Sequence, residues 1–141
     1  MKRNLLGLTA ITALLALPAT GWCADLELKV ENVKEAMGNL RIGIYGSAED
    51  FRKTAVKEVQ APASTNPVVI RVPGLAVGDY AIAIYHDRNG NQKLDSNLLG
   101  IPSEPYGFSG STRNLVGPAT WQQARFGLPA EGGTVTIQLS D

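Results

Sequence analysis

Apolar and polar residues alternate with a period of two along most of the chain. Leu26, Leu28 and Val30 share one face and Glu27, Lys29 and Glu31 the other, the pattern of a half-buried strand. Leu40, Ile42 and Ile44 repeat it, with Arg41 and Tyr45 opposite, and Val68 to Val72 is a run rich in β-branched residues. Tyr80, Ile82 and Ile84 line one face of a further strand. Its other face, Ala81, Ala83 and Tyr85, is also apolar, so this strand is predicted to be central. Val135, Ile137 and Leu139 alternate with Thr134, Thr136 and Gln138 in a last strand. Turn signals separate these runs at Gly38-Asn39, Pro73-Gly74, Gly78-Asp79, Asn89-Gly90 and Gly132-Gly133. Ser47 to Lys53 predicts a helical turn, with Ser47 as N-cap and Glu49 and Asp50 near its positive end. Short strands at regular spacing predict an all-β sandwich or barrel. From Asp87 to about Pro118 strand alternation is almost absent, and so long a loop in a compact domain is commonly functional or ligand-held.

The start of the chain reads differently. Lys2 and Arg3 precede an uncharged apolar run, Leu5 to Leu17, closed by Pro18 and the small residues Ala19, Thr20 and Gly21. This is the order of a secretory signal. The run of about 13 residues is shorter than the roughly 20 a spanning helix needs. Cutting after Ala24 puts Trp22 at the minus-three position, where a small residue belongs; cutting after Gly21 puts Ala19 there. The expected organisation is a signal peptide over 1–24 and one sandwich domain over 25–141, with the product periplasmic or secreted and no transmembrane segment. Trp22 before Cys23 argues against a lipid anchor, where a small residue is normal.

Removing the segment through Ala24 takes away Lys2 and Arg3, leaving 11 of 13 basic residues against 13 acidic, a net charge of −2. That gives no electrostatic basis for binding nucleic acid. Cys23 is the one cysteine, so the domain has no disulfide framework and no thiolate metal site.

Candidate chemistry concentrates where the central strand runs into His86-Asp87-Arg88-Asn89-Gly90-Asn91-Gln92-Lys93-Leu94-Asp95. Asp87, Asn89, Asn91 and Asp95 supply side-chain oxygens at the spacing a hard cation uses, with the Lys93 carbonyl as a backbone ligand, so Ca²⁺ is the candidate cofactor. The match to an EF-hand is partial. Gln92 stands where its glycine belongs, Leu98 stands where its bidentate glutamate belongs, and no helices flank the loop. Glu104 completes such a site only if the loop folds back. The same residues also fit a metal-free turn held by Asx hydrogen bonds.

His86, the only histidine, reads either as a core cap bonded to a loop carbonyl or as part of a binding surface with Glu104, Tyr106 and Phe108, extended by Trp121. A hydrolytic reading would pair His86 with Asp87 or Glu104 and with Ser103 or Ser109. No Gly-x-Ser-x-Gly elbow supports it.

Tyr80-Ala81, the His86-Asp87-x-Asn89-Gly90-Asn91-x-Lys93-Leu94-Asp95 run, and Gly100-Ile101-Pro102-x-Glu104-x-Tyr106-Gly107-Phe108-Ser109 together resemble the signature of a bacterial family, the domain of unknown function 2141. Phe51 and Ala124-x-Phe126 extend the likeness across essentially the whole domain. Ala76-Val77 depart from expected prolines, and Gly110-Ser111 from an Asn-containing pair. The resemblance implies an exported protein with an immunoglobulin-like or transthyretin-like β-sandwich of about seven strands and one long ordered loop. Pro73-Gly74 to Tyr80 also resembles the corresponding part of carboxypeptidase regulatory domains. No activity comes with the family. The expectations are an exported non-catalytic module with a structural Ca²⁺ site at Asp87–Asp95; a metal-free interaction module; or a small hydrolase using His86. The partner in the first two is an unknown protein or cell-envelope ligand.

Overall fold

The computed structural model describes residues 21–65, 67–110 and 117–140. Most of the expected leader, 1–20, lies outside the described residues, as does Ser111. Eight strands form two sheets, one more strand than expected. In chain order they are β1 (Cys23–Glu31), β2 (Asn39–Tyr45), β3 (Lys57–Pro62), β4 (Val68–Ala76), β5 (Gly78–Asp87), β6 (Tyr106–Phe108), β7 (Phe126–Leu128) and β8 (Gly133–Gln138). One four-residue helix, α1 (Trp121–Ala124), precedes β7.

The smaller sheet has the order β4-β1-β8 and the larger β3-β2-β5-β6, with β7 pairing the start of β5. All neighbours are antiparallel except β1 and β8, which run parallel. The alternating residues do what their period dictates. Leu26, Leu28 and Val30 of β1 join Leu40, Ile42 and Ile44 of β2, Ile82 and Ile84 of β5 and Ile137 of β8 in one core between the sheets. A second, smaller cluster lies on the outer face of the larger sheet. There Phe51, Ala81, Ala119 and Ala124 are buried with Tyr45, Phe108 and Trp121 around them.

Several details differ from the sequence reading. Ser47 to Lys53 forms the expected turn but goes no further toward a helix. The Ser47 hydroxyl accepts the Asp50 N–H at 3.2 Å as a cap would, but Arg52 at φ 62° stops helical propagation. The long segment after Asp87 contains β6 and a Ser96–Pro102 bridge.

The two sheets are joined by a backbone seam at β6. Tyr106 of β6 and Ser140 exchange N–H···O bonds of 3.0 and 2.9 Å, tying the edge of the larger sheet to the end of the smaller. Gly107 is essential to that approach, because a Cβ there would meet the Gln138 carbonyl oxygen at 2.6 Å and Ile137 Cγ2 at 2.9 Å. Gly107→Ala should therefore cost about 1–3 kcal/mol, as overpacking does. The check is a thermal melt, with an expected drop of roughly 4–8 °C per kcal/mol. A variant melting with the wild type would mean that the seam does not stabilise the fold.

Candidate functional site

β5 carries His86 and Asp87 to the end of the larger sheet, where the chain leaves as an arm that returns at β6. Asp87 pairs with Asn39 of β2, and Gly38 just before it is suited to its place twice over: it takes φ 70°, and the Asp87 carbonyl and Arg88 Cα occupy the space a Cβ would need. Asp87 is fully buried. A buried carboxylate needs donors, and three converge on it. Gly90 N–H donates at 2.8 Å, Gln92 N–H at 3.0 Å and Arg41 Nε at 3.2 Å. Arg41 thus acts as its counter-charge.

Glu104 does the same from the far side of the arm. It is 5% exposed and accepts the N–H of Arg88 at 2.9 Å on one oxygen and that of Asp95 at 3.1 Å on the other. The loop does fold back on Glu104. The outcome is a carboxylate clamp across both ends of the arm.

Asn89, Asn91 and Asp95 come together, as the spacing required. Asn89 Nδ2 donates to Asp95 Oδ2 at 2.6 Å, and Asn91 Nδ2 to Asp95 Oδ1 at 2.8 Å. The amide oxygens form Asx turns, Asn89 Oδ1 accepting the Asn91 N–H and Asn91 Oδ1 the Lys93 N–H. Lys93 itself is exposed. Gln92 adopts φ 65°, the left-handed conformation that a glycine supplies in the EF-hand loop, so the turn forms without the glycine. Among the described residues no three His, Cys, Asp or Glu side chains converge as a metal-binding group.

His86 and Glu104, expected on a binding surface, lie inside: His86 is 1% exposed. Its Nε2 lies 2.6 Å from the Met37 carbonyl, which fixes Nε2 as the protonated nitrogen, and its backbone N–H donates to Pro105. This is the core-cap arrangement, and it follows from the position of His86 two residues beyond Ile84 on the inward face. Ser109, fully buried, accepts the Ile82 N–H at 2.7 Å and donates to the Ala124 carbonyl at 2.6 Å, so its hydroxyl joins β5 to α1.

The aromatic lip is also drawn inward. Phe108 and Trp121 pack on Phe51, with ring centroids 6.2 and 6.0 Å away. Tyr106, half-buried, pairs with Tyr85 across β5 and β6 and makes an edge contact with Phe108. The two most exposed large apolar side chains among the described residues sit elsewhere, at the tip of the arm. Leu98 and Leu99 are 106% and 83% exposed, with Ile101 beside them at 56%. That tip is internally bonded. Asn97 N–H donates to the Ile101 carbonyl, while Asn97 Oδ1 accepts the N–H of Leu99 at 2.9 Å and of Ile101 at 3.1 Å.

Two contributors escaped the sequence reading. Arg41 is the partner of Asp87, and its only signal was a lone charge on the outer face of an otherwise apolar strand. Asn97 organises the tip, and an Asn before Leu-Leu-Gly was its only mark.

Asp87→Ala leaves two backbone N–H groups and Arg41 without their acceptor. It should lower stability by roughly 3 kcal/mol, and equally in EDTA and in calcium, if the carboxylate serves the backbone. Loss confined to calcium would assign the carboxylate to a metal instead. A second expectation concerns Tyr85, whose phenol burial pushes above the ordinary 10.0, with the Asp87 charge beside it acting the same way. The folded state therefore holds that proton more tightly. The associated stability is present below pH 10 and is lost as pH rises through the higher folded value. Burial raises Tyr45 and Tyr80 as well, so absorbance titration should show several late-ionising tyrosines, with one fewer in Tyr85→Phe.

Among the described residues no helix is long and apolar enough to cross a membrane. No curated protein and no solved structure matches the chain. A sequence profile described as an uncharacterized protein conserved in bacteria does match, over residues 28–138, from the middle of β1 to the last residue of β8. The chain belongs to that family, the domain of unknown function 2141.

Proposed function

We propose that this chain is an exported, non-catalytic β-sandwich module, periplasmic once its leader is removed. Its carboxylate-clamped arm, 87–105, presents a contact surface to a protein or cell-envelope ligand without needing a metal. One observation carries the metal-free part: the Asp87 carboxylate already holds a cation, Arg41, and two backbone N–H groups. A cation site assembled on Asp87 would have to displace all three. The exposed Leu98 and Leu99 on an internally bonded tip support the contact role, since a preorganised apolar tip loses little entropy on docking. The non-catalytic reading rests on the buried, bonded state of His86 and Ser109.

The start of the folded domain bears on where a leader would be cut. Trp22 carbonyl accepts the Val77 N–H, and Ala24, 4% exposed, pairs with Leu75. Residues 22–24 thus serve the domain, which favours cleavage after Gly21. The intact mass of protein released by osmotic shock should correspond to a chain starting at Trp22.

A second reading, a Ca²⁺ site, is favoured by the left-handed Gln92 and by the convergence of Asn89, Asn91 and Asp95. Melting the protein in EDTA and in millimolar Ca²⁺, Mg²⁺ and Zn²⁺ separates the two, because a ligand of the folded state raises the melting temperature as RT ln(1 + [L]/Kd). The metal-free reading expects no shift. A rise of several degrees specific to Ca²⁺ would replace it with the calcium reading.

A further inference from the structure

The outer face of the larger sheet holds a concavity with a volume of about 420 Å³, which shares Arg41 and Gln92 with the arm's hydrogen-bond network. Strand register explains its shape. One row across β3, β2 and β5 reads Gln60, Arg41, Tyr85, and the next reads Glu58, Gly43, Ala83. Long side chains in the first row, with Gly43 and Ala83 small in the second, leave a hollow with a shallow floor. Tyr45 closes one end by folding back over Gly43, where a Cβ would meet its Oη at 2.5 Å and its Cζ at 2.8 Å. Gln92, turned by its left-handed backbone, lines the hollow from the arm.

The lining has hydrogen-bonding capacity that the protein does not use. Among the described residues, the side chains of Glu58, Gln60 and Gln92 and the hydroxyls of Tyr45 and Tyr85 make no hydrogen bond, while all of them line this hollow. Amides and phenols both donate and accept, as a ligand hydroxyl does. Both phenols are protonated and able to donate at neutral pH, as an ordinary phenol is, and burial shifts them further in that direction. Charge narrows the ligand further. Asp87 already neutralises Arg41, so Glu58 is the one uncompensated charge in the lining and an anion is disfavoured. The apolar parts, two tyrosine rings and the Ala83 methyl, suit a ligand with a C–H face. The volume falls within the roughly 300–1,000 Å³ of small-molecule sites.

We propose that this hollow binds a neutral saccharide of one or two rings, its hydroxyls meeting Gln60, Glu58 and Gln92 and its C–H face lying on the tyrosines. The site does not depend on the arm's tip or on any metal.

The test uses the purified protein with an array of neutral and acidic mono- to trisaccharides, followed by amide chemical-shift titration with maltose, cellobiose and chitobiose. Choline chloride and inorganic phosphate serve as comparison ligands. Millimolar or tighter binding of a neutral sugar is expected, with shifts centred on Gly43, Ala83 and Tyr85. Tyr85→Ala and Gln60→Ala should each weaken it about tenfold or more, equivalent to 1.4 kcal/mol. Gln60 is exposed on an edge strand, so Gln60→Ala should melt with the wild type and report on binding alone. No neutral sugar bound on the array, binding undiminished in Gln60→Ala, or a preference for choline or phosphate would each overturn the proposal.

Discussion

A carboxylate sealed from water at the end of the central strand sets the geometry of everything beyond it. Asp87 has no solvent to stabilise its charge, so backbone and side-chain donors must reach it. Gly90 and Gln92 satisfy it by curling the chain tightly, and Arg41 satisfies it from the neighbouring strand. The curl forces Gln92 into left-handed backbone space and turns the following residues back toward Glu104, which closes the far end. The hairpin that carries Leu98 and Leu99 is a downstream result of that first burial. The orientation of Gln92 toward the outer sheet face is another. One buried charge therefore organises both surfaces on which function has been placed.

The sandwich was readable because its core strands obey a two-residue period. Leu26 to Val30 and Leu40 to Ile44 alternate strongly enough to fix both the strand and its inward face, while Tyr80 to Tyr85, apolar on both faces, was legible as a central strand. β3 was not readable, and the cause is physical. Lys57 to Pro62 is an edge strand with no fully buried residue, so burial imposes no pattern on it. β6 and β7 have three residues each, too few to show a period. The parallel pairing of β1 with β8 leaves no local trace, since register between distant strands is decided by the whole fold.

At the site, residue identity was legible and orientation was not. The spacing of Asn89, Asn91 and Asp95 indicated convergence, and they do converge. Nothing in the spacing distinguished a carboxylate aimed at a cation from one aimed at backbone N–H groups. His86, Phe108 and Trp121 carry the residue types of a binding surface, yet strand register turns His86 inward and Phe51 draws the two aromatics into a second small core. The hollow between Tyr45, Arg41 and Tyr85 had no motif at all. It exists because Gly43 and Ala83 fall opposite one another across two strands, a coincidence of register visible only in three dimensions.

β1 lies between β4 and β8, and its parallel bonds to β8 run from Leu26–Gly133 to Glu31–Gln138. The first strand of the domain is thus completed by the last. While the chain is still emerging, β1 has only one neighbour, and the other edge of a strand rich in leucine and valine stays open until residues near 138 arrive. Pairings this distant in sequence are slow to form. The smaller sheet therefore cannot close until the last strand has been made.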